Sequence, residues 1–450
     1  MMRKWMVMGA GLLWVALGTG TSPGKLWAAP QAEQQKPAYT MAEYNAYKAA
    51  DAEQNPQLKI KKLDDFVKQY TNSSLLPYVY RDFYLTNYAL KNFAGAIEYT
   101  DRQLALGDKV DTQGRLEASV ARAQAFLVGG AGDKSLQTPE AQGKARDAAV
   151  AGLKILDEWK KPEQMAADQY EQQKNGFLGL FNSVAGAASY ALKDYAAATG
   201  YYKAVLAVNP NDAISHFRLG VAYLEMTPPE GNEGFWQLAR SIALKAPNEQ
   251  QLRTYLRNQL IRYQQTACDK LIDDQVNELI TLAGSSADRP ATLTIPSAAG
   301  LQKARDDTAN FIPALKAGGD AGKVMWLASC GLEYPDVGVW AMSDAVADGD
   351  TITIRVYRPT SQDPDAAQKE IEAAPGPNME IKITGQPEAI KIKKDDQFRF
   401  TGTLVGYTQS PFLLTWDKAK INHEDIPDEK AGPGKRAPAR RAPAKKASDD

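Results

Sequence analysis

Asp194 to Met226 reads DYAAATGYYKAVLAVNPNDAISHFRLGVAYLEM, and the spacing of its small, aromatic and proline residues decides how most of the chain is read. Gly186 and Gly220 lie 34 residues apart, Ala188 and Ala222 keep that interval, and Tyr190 and Tyr223 nearly keep it. The pattern is one of packing. Small residues such as Gly186 and Ala198 let two antiparallel helices approach closely, and Tyr202, Leu206 and Leu219 fill the space between helical hairpins. Pro210 follows the second helix and stops it, because proline has no N–H to continue the ladder.

The same texture extends outward over residues 39–284. Tyr44, Tyr47 and Ala50 share one helical face, and so do Leu58, Leu63, Phe66, Val67 and Tyr70. Residues 80–106 read as helix, Lys91-Asn92 turn, helix. Residues 285–337 read as a linker carrying one helix, from Ala298 to about Ala317. After Gly338 the period becomes two, through TITIRVY, MEIKIT, AIKIKK, QFRFTGTL and FLLTW, which reads as half-buried antiparallel strands over 338–423. Residues 424–450 hold Pro, Ala and cations without an aromatic, a composition expected to be disordered.

Composition narrows the class. Lys and Arg number 53 against 54 Asp and Glu, so no global basic surplus implies nucleic acid. Arg3 and Lys4 precede an apolar run from Trp5 to Leu17, then small residues to Ala29, which reads as an export signal over residues 1–29. The alternative is a retained N-terminal anchor. No membrane span is expected once the signal is removed, and the mature chain is expected in the periplasm or outside the cell. Cys268 and Cys330 either pair in such an oxidising compartment or stay as buried thiols.

Gly186, Ala198, Tyr202 and Pro210, with Leu219, Gly220 and Tyr223 in the next copy, resemble the tetratricopeptide repeat family. Val205 and Ser189 depart from its pattern, TPPEGNEG is an insertion, and Phe93, Ala96, Ile97 and Tyr99 make a weaker copy preceded by Tyr88. The resemblance implies a multidomain α+β protein. An N-terminal superhelix of helical hairpins would bind a protein or peptide in its concave groove. Some members grip a terminal carboxylate with Lys and Asn. The matching positions here are Ser183, Ala187, Phe217 and Val221, so that grip is missing. What remains for the groove is Tyr190, Ile214, Phe217, Arg218 and Leu224, which suits an apolar or aromatic segment unless these residues pack against the next hairpin.

The segment from Ile390 to Ile421 resembles the closing strands of an oligonucleotide/oligosaccharide-binding barrel, which implies a small antiparallel barrel or sandwich. Arg355, Lys382, Lys391, Lys393 and Arg399 would then hold a polyanion, or simply form a solvated sheet face. The cations of the tail either attach to an anionic envelope surface or keep the chain soluble.

Chemistry is not legible. The sequence has no phosphate loop, no Gly-x-Ser-x-Gly, no His-Glu-x-x-His and no Cys-x-x-Cys, and its two histidines are 207 residues apart. Adjacent acidic pairs such as Asp64-Asp65 point in different directions on a helix. The reading is therefore a non-catalytic scaffold, without cofactor or metal. The alternative is an envelope protein that binds glycan, lipopolysaccharide or nucleic acid through the strand-rich domain and tail.

Overall fold

The computed structural model describes residues 39–266, 268–361 and 363–427. The export signal over 1–29 and residues 428–450 of the tail lie outside the described residues, whereas Glu424 and Asp425, expected in the disordered tail, form a 3₁₀ turn with His423 and hold Arg399. The chain divides into two units, one holding 39–259 and 275–295, the other 260–274 and 296–427.

The first unit is built from helices in antiparallel succession. They are α1 (Met41–Asp51), α2 (Pro56–Gln69), α3 (Leu76–Ala89), α4 (Phe93–Leu104), α5 (Thr112–Gly129), α6 (Pro139–Glu158), α7 (Ala167–Ala191), α8 (Tyr195–Val208), α9 (Ala213–Glu225), α10 (Gly231–Ala243), α11 (Glu249–Gln264) and α12 (Asp269–Ser285), the last two running on into the residues of the second unit. Local chemistry starts and stops them. Side chains of Thr40, Asn55, Asn92, Asp111, Asp194 and Asp212 accept hydrogen bonds from the first-turn amides. Lys91 and Lys193 close α3 and α7 in the left-handed conformation, at φ 60° and 63°. The next residue then donates its N–H five residues back, Asn92 to Asn87 O and Asp194 to Ser189 O. Those two turns are 102 residues, or three periods of 34, apart, and Ala96 and Ala198 keep the same offset. The weak copy at Phe93 is therefore in phase with the strong one.

Close approach holds the pairs together. A Cβ on Gly186 would stand 2.8 Å from the Tyr202 ring, and one on Gly152 2.6 Å from Phe181. Gly220 faces backbone: its Cβ would meet the Gly234 carbonyl oxygen at 2.8 Å and the Leu238 nitrogen at 2.9 Å. Pro210 lies beyond the end of α8, and its carbonyl accepts from His216 Nε2 at 3.0 Å, while the other ring nitrogen faces the Gln237 amide group at 2.5 Å. His216 thus braces a turn and is not a ligand.

The stretch 285–337, whose residues from 296 on belong to the second unit, departs from a linker with one helix. It carries α13 (Ala298–Asp306), α14 (Phe311–Ala317) and α15 (Gly319–Ser329). The helix expected to run to Ala317 breaks at Asp307, where the backbone leaves the helical region. Six strands follow: β1 (Glu333–Ala341), β2 (Val346–Asp348), β3 (Thr351–Tyr357), β4 (Met379–Thr384), β5 (Gln397–Gln409) and β6 (Phe412–Ile421), with α16 (Pro364–Glu372) between β3 and β4. The order is β1-β5-β6-β4-β3-β2, and β1 also pairs with β3 through Trp340–Tyr357 and Ala341–Val356.

Two expectations are corrected. The sheet is mixed, because β4 and β6 run parallel. AIKIKK is no strand, since Pro387–Lys391 forms a 3₁₀ turn that Pro387 opens. The remaining alternation holds: Ile352, Ile354, Val356, Ile381, Phe398, Phe400, Leu414 and Trp416 are all buried, with Ile312, Leu315 and Met325 of α14 and α15 packed into the same core.

Cys268 and Cys330 form a disulfide with a Cα–Cα distance of 5.6 Å. Beside it, Thr266 Oγ1 donates to Leu327 O at 2.9 Å, and Leu271 packs on Leu301, Leu327 and Ala328. Both contacts tie residues 266–271 to α13 and α15.

Gly220→Ala is expected to destabilise the first unit by at least about 2 kcal/mol, because backbone faces the new methyl and cannot move aside. Gly200→Ala, with nothing within 4 Å of its Cβ, should stabilise by ~0.5–1 kcal/mol. Urea melts of the two variants check the contrast, and equal losses would refute the close-approach account. Cys330→Ser should cost the second unit about 4 kcal/mol for a loop of 62 residues, which reduced and oxidised melts of the wild type measure independently.

Candidate functional site: one face of the helical array

The 102-residue offset aligns three helices. Tyr78, Arg81, Leu85 and Tyr88 of α3 match Leu180, Ser183, Ala187 and Tyr190 of α7. One further period gives Ile214, Phe217, Val221 and Leu224 of α9. Spacings of three, four and three place each set on a single helical stripe. Arg81 Nε on α3 lies 3.8 Å from the Glu117 carboxylate on α5, so the stripe continues from one odd-numbered helix to the next.

The five residues expected to line the groove have separate fates. Tyr190 is largely covered, with its ring edge-on to Tyr195 at 5.3 Å. Burial, then the Glu225 carboxylate and the Tyr255 phenol, holds its phenol well above the ordinary tyrosine range. Phe217 is half-buried and meets Tyr255 of α11 edge-on at 5.7 Å. Tyr255, which carries no motif, thus packs on Phe217 across α9 and α11. Ile214 is half-buried at the first turn of α9, where its N–H donates to Asp212. Arg218 stands by buried Tyr202, whose phenol is pushed up to about 12 by burial and drawn back by the Arg218 charge. Leu224 turns into the α9–α10 contact, where it covers Gly234.

The accessible part of the stripe lies at the other end, on α1 and α3, away from the five residues the sequence singles out. Tyr78 is 54% exposed, Leu85 49%, Met41 70% and Tyr44 37%, all on α1 and α3. Large apolar side chains at this exposure are unusual when they cluster. Tyr44 stacks on Tyr39 at 5.9 Å, and Tyr47 brings its ring to 6.4 Å from Tyr78, which joins the two helices in one aromatic surface. Beneath it is Asp82, whose Oδ2 makes no hydrogen bond and stands 3.9 Å from Lys59 Nζ. Burial pushes the Asp82 carboxyl up, Lys59 pulls it down, and Asp51 adds to the rise. The resultant is a raised value.

In the sheet, three of the five candidate anion-holding cations already have carboxylates. Arg355 pairs with Glu380 at 3.2 Å directly across β3 and β4, and Lys393 with Asp344 at 3.4 Å. Arg399 meets Asp425 at 2.9 Å and Asp336 at 3.6 Å, and also contacts Glu424. Lys382 and Lys391 have no ion pair among the described residues. No cluster of metal-ligating side chains occurs among the described residues, and no helix there is long and apolar enough to cross a membrane.

No family model matches the chain, and no curated protein matches it. Among solved structures, the chain is similar to the C-terminal part of a TPR repeat-containing protein from Cytophaga hutchinsonii, at 14% identity and a TM-score of 0.26, covering 54% of this chain and 96% of that one. It is also similar to the TPR2AB domain of yeast Sti1, solved as a complex with an Hsp90 peptide, at 13% identity and a TM-score of 0.18, over 54% and 95%. Superpositions this loose carry no argument about function, which rests on the geometry above.

The Asp82 carboxyl supplies a pH test of that geometry. Because its folded-state value is raised, the native state binds the proton more tightly than the unfolded chain. Stability from this group should rise as pH falls through the raised value and level off below the ordinary aspartate value of about 3.9. The wild-type minus Asp82→Asn difference in unfolding free energy, measured by urea melts from pH 7 to pH 4, should therefore grow toward acid. A difference that shrinks toward acid would mean Asp82 is paired.

Proposed function

We propose that this chain is an exported, non-catalytic scaffold whose tetratricopeptide-like helical pairs bind a protein segment with apolar or aromatic anchors. The observation that carries the reading is the aligned stripe: positions that recur at the repeat period are occupied by Tyr78, Leu85, Phe217 and their neighbours, and the most exposed of them are large and apolar. Rigid tyrosines offer contact area at low entropic cost. The stripe carries no lysine–asparagine pair for a terminal carboxylate, so the bound segment is internal. Export is supported by the basic-then-apolar N-terminus and by the Cys268–Cys330 bridge, which an oxidising compartment preserves.

The second unit supports an OB-like reading of its sheet. Apart from β2, each strand has two partners, in the ring β1–β3–β4–β6–β5–β1 with a single parallel pair, as a five-stranded Greek-key barrel requires.

Selection of peptides from a random display library against the full chain tests the function. Enriched sequences should carry aromatic or aliphatic anchors and bind equally well with an amidated C-terminus. Tyr78→Ser with Leu85→Ser, both at exposed positions, should weaken them by roughly tenfold or more while leaving the melting curve in place. Dependence on a free carboxylate, or equal binding by the double variant, would refute the proposal.

A further inference from the structure

A second surface, on the outer face of the sheet, has a different chemistry. Strands β4, β5 and β6 alternate, so Ile381, Ile383, Phe400, Leu404, Leu414 and Trp416 fill the core while Lys382, Thr401, Thr403, Thr415 and Lys420 take the opposite side. Between Asp417–Thr403 and Lys420–Thr401, β6 carries one residue more than β5. The extra residue of this β-bulge, Lys418, has φ 54° and is exposed. A bulge re-aims a side chain, and here it adds a cation to the solvent side. Lys382, Lys418 and Lys420 have no carboxylate within ion-pair distance among the described residues, although Asp417 shares their face. The neighbouring Arg355 and Arg399 are neutralised by Glu380 and Asp425.

The chain continues from this face. Residues 432–446 read GPGKR APARR APAKK, a pentad of small residue, proline, small residue and two cations repeated three times, with no acid inside it. Asp428 and Glu429 precede the pentads, and Asp449 and Asp450 follow them. Eleven residues lie between Lys420 and Gly432. Neither the pentads nor the outward positions of β4, β5 and β6 named above include an aromatic ring, so bases would find no stacking platform. What remains is recognition of clustered phosphate charge.

We propose that the Lys382–Lys418–Lys420 face and the three pentads together attach the protein to an anionic phospholipid bilayer. Lysine and arginine near such a surface each contribute on the order of fivefold in affinity at low salt, so nine cations act as one reversible anchor. This inference does not rest on the groove of the helices.

Co-sedimentation of the full chain with vesicles tests it. Binding to phosphatidylglycerol-containing vesicles should exceed binding to phosphatidylcholine vesicles and collapse at ~0.5 M salt. The phosphatidylcholine arm reads any contribution of the apolar run at Trp5–Leu17. Replacing the six pentad cations by serine should lower affinity at least ~100-fold, and Lys382→Gln, Lys418→Gln and Lys420→Gln together by roughly tenfold or more, with unchanged melting curves. No preference for the anionic vesicles would overturn the proposal, as would unchanged binding by either variant. Tighter binding of single-stranded DNA than of vesicles at the same salt would assign the face to nucleic acid instead.

Discussion

The first unit depends on how closely antiparallel helices can approach. At Gly220 the opposing backbone leaves no room for a methyl group, and at Gly186 and Gly152 an aromatic ring occupies that room. Each such contact fixes the depth and register of one pair. Fixed register keeps the matching stripes of α3, α7 and α9 at equivalent positions of their pairs, so the chemistry at those positions accumulates into a surface. Without the glycines the pairs would separate, and the aligned positions would no longer form a face.

The second unit solves a different problem. A small sheet with one buried face must put something soluble on the other, and lysine and threonine at alternate positions do that. Its strand arginines, Arg355 and Arg399, are spent on cross-strand or loop carboxylates, which fixes geometry and leaves little of their charge for a ligand. The lysines of β4 and β6 escape this because no acid among the described residues comes within ion-pair distance of them, although Asp417 shares their face, and because the bulge turns one of them outward. An apolar stripe on helices and a cationic face on a sheet thus coexist in one chain.

Much of this was legible before any coordinates. The 34-residue interval, the glycines, Pro210 and the Asn and Asp caps specify helical pairs, because helix packing and capping are local or nearly local constraints. Period-two alternation likewise specified which residues enter the sheet core. The misreadings came where a local pattern was ambiguous: AIKIKK alternates like a strand, yet Pro387 opens a 3₁₀ turn there, and Asp307 interrupts a run whose apolar spacing looked continuous.

By itself the sequence determined the repeat, the helix ends, the inward strand residues and the charge pattern of the terminal pentads, since each depends on neighbours a few residues apart. Only the tertiary structure decided that β4 runs parallel to β6, that Leu224 serves a helix contact, that Tyr255 packs on Phe217, and that Arg399 is neutralised while Lys382 is not. Those outcomes depend on which distant residues are brought face to face, and nothing in a one-dimensional spacing fixes that.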